Sequence, residues 1–249
     1  MYPSRLGPNA IEGRHVRICS TIECVLSSLR RSCILGDMMK RRLAGCTIVD
    51  HPLIKSKVTI LRNKETPTEV FRRTLHEVTA LLAFEATRDL EVAEINIETP
   101  LERCKGHKLS KGLTIVPILR GGLGMAEAML EVLPEAKLGH VGTYRNETTF
   151  QPMSYYFKAP LDLADSDVFL VDPMLATGNS ASDAATKLKA EGARRLRLIS
   201  LLGCITGAEH FKRQHPEVPI FLAALDEKLN ERAYIVPGLG DAGDRYCDT

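Results

Sequence analysis

Short apolar runs of strand length alternate with segments of helical periodicity from about residue 46 onward. The apolar runs are 113–119, 138–144, 168–171, 196–202 and 220–224. Segments with helical periodicity begin near residues 67, 123, 180 and 206. Strands that are separated by helices favour a parallel sheet, because each crossover lays a helix on one face of the sheet. The sequence therefore predicts an α/β fold with a central, mostly parallel sheet flanked by helices.

Several helix ends carry recognisable signals. The segments 66–69 and 206–209 each have the spacing of a capping box, with threonine as the N-cap and glutamate three residues later. Pro134 is expected to stop the helix that follows residue 123, because proline cannot donate its backbone nitrogen to a helix. Gly192 is expected to close the helix over 180–191.

Composition narrows the class of protein. With 249 residues, 44% hydrophobic and 26% charged, the chain suits one globular domain with a short appendage. No apolar run reaches the roughly 18 residues of a membrane-spanning helix, and a formal charge of +2 gives no reason to expect binding to nucleic acid or membrane. Seven cysteines without a C-x-x-C pair favour a reduced, cytoplasmic protein.

The first 45 residues differ from the rest of the chain. They carry eight Lys and Arg against three acids, whereas the remainder carries 25 against 28. They show no clean periodicity, so we expect residues 1–45 to be an N-terminal extension and residues 46–249 to be the functional domain. Organelle targeting by residues 1–37 and a functional start near Met38 and Met39 both stay open.

The segment 168–180 carries the most chemistry. An apolar strand runs into Asp172, and a loop of small residues then opens a helix. Ligands in α/β sheets bind beyond the carboxyl ends of the strands, where this loop would lie. Backbone N–H groups over 176–180 and the hydroxyls of Thr177 and Ser180 have the chemistry to enclose a phosphate. A helix N-cap without any ligand is the alternative for this loop taken alone.

Neither of two common nucleotide-binding motifs applies to this sequence. Walker A, G-x-x-x-x-G-K-[ST], is absent. Residues 238–243 spell G-x-G-x-x-G, but only six residues follow, which leaves no room for the helix and strand of a dinucleotide-binding unit. We interpret 238–243 as a glycine-rich loop with Asp241 inside it, able to bring backbone groups close to a flat, polar ligand.

Five stretches of the chain resemble the uracil phosphoribosyltransferase family, over roughly Asp50 to Arg245. They are HPLIKSKVTILRNKET, VPILRGGLGM, YRNETTFQPMSYYFK, VDPMLATGNS and ALDEKLNERAYIVPGLGDAGDR. The VDPM form is selective, because most phosphoribosyltransferases of this fold type have a second acid where the family has the proline. The resemblance implies a phosphoribosyltransferase type I-like fold with a protruding β-arm and a C-terminal base-binding segment.

The resemblance also implies an activity, namely transfer of the 5-phosphoribosyl group from phosphoribosyl pyrophosphate to uracil N1 in pyrimidine salvage, giving UMP and pyrophosphate. It assigns the donor to Arg120, Arg145, Asp172, Pro173, Met174, Leu175, Ala176, Thr177, Gly178, Asn179, Ser180 and Asp241. It assigns uracil to Ile235, Gly240, Asp241 and Ala242. Within these sets Arg120, Arg145, Asp172 and Asp241 would act in catalysis. Mg²⁺ is expected to enter on the donor pyrophosphate, with no direct protein ligand.

The segment 145–158 resembles the family's β-arm, which reaches over a neighbouring subunit. A homodimer or a higher homo-oligomer is therefore expected, whereas the residues alone would favour an ordinary surface hairpin. Activation by GTP stays open.

Three features depart from the family pattern. Asn179 stands where a second glycine is usual, and because Asn tolerates positive φ better than most residues, the loop is expected to survive with tighter sterics. Gly121 replaces a usual alanine beside Arg120. The tail 245–249 reads RYCDT where a Phe-Gly-Thr ending is typical, which predicts different packing at the C-terminus.

Two rival functions follow from the same fold. One is a nucleotide-sensing regulator that binds RNA, which would need a basic face that a domain of charge −3 does not suggest. The other is a purine phosphoribosyltransferase, disfavoured by the single acid Asp172 and by the YIVPGLGDAGD segment.

Overall fold

A computed structural model describes residues 43–145 and 152–249 of the chain. The chain divides into two units, Met1–Ala44 and Gly45–Thr249, and the second contains the sheet, the helices and the candidate site. The described strands are β1 (Cys46–Ile48), β2 (Val92–Glu98), β3 (Arg103–Leu109), β4 (Gly112–Leu119), β5 (Lys137–Leu138), β6 (His140–Arg145), β7 (Pro152–Lys158), β8 (Ser166–Val171), β9 (Met174–Leu175), β10 (Arg195–Cys204), β11 (Ile220–Asp226), β12 (Lys228–Leu229) and β13 (Ile235–Val236). The described helices are α1 (Pro52–Arg62), α2 (Thr68–Ala86), α3 (Leu123–Val132), α4 (Asn179–Ala190), α5 (Ile205–Gln214) and α6 (Ala242–Cys247), and Leu163–Asp165 forms a 3-10 turn.

The main sheet has the strand order β1-β11-β10-β8-β4-β6-β7, with β5 beside β4 and β9 beside β10. Every pairing among its described strands is parallel except that of β6 with β7. In the central pair, Val116 of β4 lies opposite Leu170 of β8. The predicted α/β architecture with a mostly parallel central sheet is confirmed.

Strand β8 is buried along its whole length because helices cover both faces of the sheet. Phe169 and Val171 belong to a core that they share with α1, α2 and α3. Val168 and Leu170 point to the other face, since successive side chains of a strand alternate, and α4 contacts β8 there while α5 contacts β10 and β11. Burial on both faces explains why the sequence shows an unbroken apolar run at this strand.

The two predicted capping boxes are wrong. Pro67 is the N-cap of α2, without a side-chain cap, and the Thr66 hydroxyl donates instead to the Ile60 carbonyl at 2.6 Å. Thr66 therefore closes the turn between α1 and α2. At α5 the strand β10 runs directly into the helix, so Cys204 is the N-cap and Thr206 lies inside the first turn.

Other predicted ends are confirmed. Gly192 follows α4 with a φ of +99°, and α3 ends before Pro134. The run 138–144 is divided between β5 and β6 at Gly139, whose N–H donates to the Ile115 carbonyl at 2.9 Å.

Two antiparallel pairs lie outside the main sheet, β2 with β3 and β12 with β13, and the sequence analysis predicted neither. The predicted arm over 145–158 corresponds to the antiparallel pair β6 and β7, while its turn, 146–151, lies outside the described residues. Met153 and Tyr156 on β7 are exposed. In the part of the chain that the structure describes, no helix has both the length and the apolar character needed to cross a membrane.

Candidate active site

A cavity of about 500 Å³ opens at the carboxyl ends of β4 and β8. Such strand ends are where α/β sheets bind their ligands, and the volume suits a small molecule. The lining comes from 118–121 after β4, from Thr143 on β6, from 172–174, Ala176 and Ser180 after β8, and from 232–235 and 240–243 near the C-terminus.

Asp172 stands at the end of β8 and is half-buried in the cavity wall. Its backbone N–H donates to the Ile199 carbonyl at 3.2 Å, which extends the sheet by one residue. The Met174 N–H donates to Asp172 Oδ1 at 3.4 Å. The pKa of Asp172 is raised from its ordinary value of 3.8 to about 7, mainly by burial. The hydrogen bond from Met174 lowers this pKa, and the nearby charge of Asp241 raises it by a smaller amount. The carboxyl group can therefore gain or lose a proton near neutral pH.

Gly178 gives the loop after Asp172 its shape. Its φ is +82°, and a Cβ atom there would lie 2.5 Å from the Gly207 carbonyl oxygen at the start of α5. Positive φ and close approach together require glycine. Asn179 is the first residue of α4, and the positive-φ position is Gly178, so the backbone of the loop does not require a glycine φ at Asn179. Its N–H lies 3.4 Å from Thr177 Oγ1.

Arg120 follows β4, after a cis peptide bond from Leu119. Its Nη2 donates to Asp244 Oδ1 at 3.0 Å, and its side chain is 62% exposed. Next to it, Gly121 packs against Pro173, since a Cβ atom at Gly121 would lie 3.1 Å from the proline Cγ. The two strand-end loops therefore touch, and they bring the arginine and the strand-end acid to one cavity.

The segment 238–243 crosses the cavity as a loop and short helix start. Gly238 is held on both sides, because its N–H donates to Asp226 Oδ2 at 3.0 Å and its carbonyl accepts from Arg62 at 2.9 Å. Arg62 and Asp226 also form a two-point ion pair, with both N···O distances 2.7 Å. Asp241 is the N-cap of α6 and accepts from the Asp244 N–H at 3.0 Å. The G-x-G-x-x-G spelling here belongs to this loop, as the sequence analysis interpreted it.

Most of the predicted site residues line this one cavity. They are Arg120, Asp172, Pro173, Met174, Ala176, Ser180, Ile235, Gly240, Asp241 and Ala242. The remaining loop residues are neighbours in the same turn but do not line it; they are Leu175, Thr177, Gly178 and Asn179. Arg145 ends β6, and its side chain is outside what the structure describes.

Eight further residues line the cavity without having been assigned to the donor or to uracil; they are Ile118, Leu119, Gly121, Thr143, Arg232, Ala233, Tyr234 and Gly243. Ala233 has a φ of +61°, rare for a residue with a Cβ atom. The Asn230 side chain holds this turn by accepting from the N–H groups of Arg232 and Tyr234 at 3.0 and 2.9 Å. The ERAY stretch, residues 231–234, contains three of these residues and is the sequence signal that could have found Arg232, Ala233 and Tyr234.

The cavity contains two carboxylates, Asp172 and Asp241. Over residues 43–145 and 152–249, no group of three or more His, Cys, Asp or Glu side chains is arranged to hold a metal ion. These residues fit a metal ion that arrives bound to a phosphate ligand better than one caged by protein side chains, since Mg²⁺ is commonly held by one or two carboxylates together with substrate phosphates.

A family model described as uracil phosphoribosyltransferase matches residues 48–249. The chain belongs to this family. A protein named uracil phosphoribosyltransferase from Acholeplasma laidlawii is 52% identical over 202 residues, which cover 81% of this chain and 97% of that protein. A protein of the same name from Rhizobium etli is 51% identical over 206 residues, covering 82% and 99% of the two chains.

Among solved structures, the AQ2163 protein from Aquifex aeolicus superimposes with a TM-score of 0.78 at 36% identity, covering 81% of this chain and 97% of that one. The expected membership of the uracil phosphoribosyltransferase family and the expected phosphoribosyltransferase type I-like fold are both confirmed. The family match begins at residue 48, close to the start of the sheet at β1.

Proposed function

We propose that the protein transfers the 5-phosphoribosyl group of phosphoribosyl pyrophosphate to N1 of uracil, giving UMP and pyrophosphate. The observation that carries this proposal is the convergence of Arg120, Asp172 and the glycine segment 240–243 on one cavity at the strand ends, in a chain of the uracil phosphoribosyltransferase family. The purine-specific alternative is disfavoured by that family match.

We assign the donor to the strand-end loops. The N–H groups at the start of α4, over 176–180, would take the 5′-phosphate, because the positive end of a helix favours an anion. Asp172 would accept hydrogen bonds from the ribose hydroxyls. Arg120 and Arg145 would take the pyrophosphate end, since a guanidinium stays charged and can grip two phosphate oxygens at once.

We assign uracil to the C-terminal segment. Ile235 and Ala242 are buried and supply apolar wall, while Gly240 and Asp241 bring the backbone to the edge of the ring. The bond from the anomeric carbon to the pyrophosphate oxygen would break as the bond to uracil N1 forms, with positive charge on the sugar in the transition state. Asp241 is the candidate to accept the N1 proton.

Catalysis in this proposal is mainly electrostatic. Arg120 and Arg145 would stabilise negative charge as it develops on the leaving pyrophosphate, and one such contact commonly contributes about 10² to 10³ in rate. Mg²⁺ bound to the donor would neutralise part of the same charge. Asp172 in its ionised form would face the positive sugar.

We further propose a cytoplasmic homodimer or higher homo-oligomer that binds neither nucleic acid nor membrane, with residues 1–45 as an extension. The four cysteines in the described part of the chain carry free thiols, which suits a reducing compartment. The exposed Met153 and Tyr156 on the arm would be buried by a second subunit. Gel filtration with light scattering measures the oligomeric state. Retention of labelled RNA on a filter at physiological salt would favour the alternative function, an RNA-binding regulator.

The activity is tested by incubating purified protein with labelled uracil, phosphoribosyl pyrophosphate and Mg²⁺ and measuring UMP. We expect UMP from uracil, and no AMP, GMP or IMP when labelled adenine, guanine or hypoxanthine replaces uracil. Arg120→Ala should reduce the rate at least about tenfold, whereas Arg103→Ala, an exposed arginine on β3, should not. Absence of UMP from folded wild-type protein, or equal turnover of a purine, would refute the proposal.

A further inference from the structure

The cavity arginine Arg120 is held by an acid from the C-terminal helix. Its Nη2 lies 3.0 Å from Asp244 Oδ1, although the two residues are 124 positions apart in the sequence. Beside this ion pair the β4 loop and α6 are in van der Waals range of each other, since a Cβ atom built at Gly243 would lie 3.7 Å from the Gly121 Cα.

Asp244 sits on a well-anchored backbone. Its N–H donates to Asp241 Oδ1 at 3.0 Å, and its carbonyl accepts from the Asp248 N–H at 2.7 Å and the Thr249 N–H at 3.2 Å. The next residue, Arg245, donates to the carbonyls of Leu61, Leu239 and Asn63 at the end of α1 and the base of the loop.

Tyr246 anchors the same helix from the other side. Its ring fills the space above Gly124, where a Cβ atom would lie 2.3 Å from the ring. Its hydroxyl donates to Glu127 Oε2 at 2.7 Å, and its carbonyl accepts from Arg72 Nε at 2.6 Å. The acid on α6 is therefore fixed by helices α1, α2 and α3.

Arg120 has no comparable restraint. Its side chain is 62% exposed, and among the contacts of the described residues its one hydrogen bond is the bond to Asp244. A long, exposed arginine loses considerable conformational freedom when a ligand fixes it. A fixed acceptor that already orients the guanidinium removes part of that cost before the ligand binds.

We infer that Asp244 is a positioning residue for the donor site, which orients the Arg120 guanidinium toward the pyrophosphate of phosphoribosyl pyrophosphate. The inference rests on the proposed function. Asp244 accepts a hydrogen bond from only one nitrogen of Arg120, Nη2. Because a guanidinium has five N–H donors, the others stay available for phosphate oxygens. The atypical tail 245–249 thereby acquires a role, because its contacts fix the residue that orients the arginine.

A competing role makes the opposite prediction. If the carboxylate of Asp244 merely occupied Arg120 or repelled the anionic donor, its removal would strengthen donor binding. Asp244→Asn removes the charge but keeps an acceptor oxygen, whereas Asp244→Ala removes both. The two variants therefore separate orientation from charge.

The test measures the dissociation constant of phosphoribosyl pyrophosphate with Mg²⁺ by calorimetry, together with KM for each substrate. We expect Asp244→Ala to weaken donor binding about three- to fivefold, the range of an exposed ion pair, and Asp244→Asn to stay within about twofold of wild type. KM for the donor should rise with little change in KM for uracil. Glu98→Ala, which removes the acid of an exposed ion pair with Arg103 on the hairpin of β2 and β3, serves as the matched control and should not change donor binding.

The decisive comparison uses the Arg120→Ala background. There Asp244→Ala should have no further effect on donor binding, because the residue acts through the arginine. Tighter binding by either Asp244 variant, or an equal loss with and without Arg120, would overturn the inference. Asp244→Ser gives the same comparison if the alanine variant fails to fold. Wild-type protein that makes no UMP would refute the proposed function itself, whereas active wild type with an unchanged Asp244→Ala variant would refute this inference alone.

Discussion

Replacement of Asp172 by asparagine should make the ligand-free protein more stable and the enzyme nearly inactive. Burial raises the pKa of Asp172 from 3.8 to about 7. A carboxyl group with a raised pKa in the folded state destabilises that state once it ionises. Asparagine is close in shape and keeps an oxygen for the Met174 N–H, but it has no charge to bury.

The size of the destabilisation, and the pH range over which it develops, follow from the raised pKa of Asp172. The destabilisation begins as the pH rises above 3.8, the ordinary pKa, and is complete above about 7, the folded pKa. Ionisation of a carboxyl group whose pKa is raised this far lowers the free energy of unfolding by about 4 kcal/mol at pH 8 and by about 2 kcal/mol at pH 5. The free energy of unfolding of Asp172→Asn should therefore exceed that of wild type by about 2 kcal/mol more at pH 8 than at pH 5.

Urea unfolding of both proteins at pH 5 and pH 8 measures this difference, with Asp50→Asn as an exposed control. Asp241→Asn provides a second check, because the charge of Asp241 makes a smaller contribution to the raised pKa of Asp172, so this variant should show a slightly weaker pH dependence of stability than wild type. The Asp172→Asn variant should also form UMP at least about tenfold more slowly. Equal stability of variant and wild type at pH 8 would refute the assigned burial, and a wild-type rate would refute the assigned site.

Three further predictions concern the support of the site. Arg62→Ala should cost about 3 kcal/mol in urea unfolding, because the buried carboxylate of Asp226 loses its charged partner; a loss under about 1 kcal/mol would contradict this. Gly178→Ala should destabilise by more than about 1 kcal/mol and raise KM for the donor, because its φ is positive and its Cβ atom would meet the Gly207 carbonyl; a wild-type KM would count against a donor role for the loop. Deletion of residues 1–37 should leave the rate of UMP formation largely unchanged, and aggregation of the truncated protein would show instead that the segment is needed for folding.

The strands were predictable where the sequence contains a continuous, mostly apolar run. The runs 113–119, 168–171 and 196–202 are mostly apolar because both faces of the sheet are covered, and all three lie in strands. The hairpin of β2 and β3 was not predicted, since its strands are largely exposed and mix charged with apolar residues. Exposed strands carry little hydrophobic signal.

The capping errors have a different cause. A capping box is a local pattern, and both threonines satisfy it in sequence. The Thr66 hydroxyl donates instead to the Ile60 carbonyl of the preceding helix. Strand β10 extends to Cys204, which is the N-cap of α5 and lies two residues before the threonine that the pattern indicated. Tertiary contacts decided both cases, and spacing alone does not contain them.

The residues of the candidate site also divide into those that a local sequence pattern predicted and those that depend on tertiary contacts. Asp172 and the loop after it were identifiable because strand, acid and small residues are contiguous. Arg232 and Tyr234 were missed, since their approach to the cavity depends on the turn that Asn230 holds. The pairing of Arg120 with Asp244 joins segments far apart in the chain, and no local pattern predicts it.

The proposed recognition of uracil by backbone groups requires a rigid scaffold in the C-terminal segment. A neutral ring forms no ion pair, so its affinity depends on how little the protein must reorganise when it binds. The segment meets this demand by being anchored on both sides of Gly240 and Asp241. Before them, Gly238 is held by Arg62 and Asp226, and after them Arg245 donates to three backbone carbonyls. Stability and base binding should therefore change together when either anchor is altered.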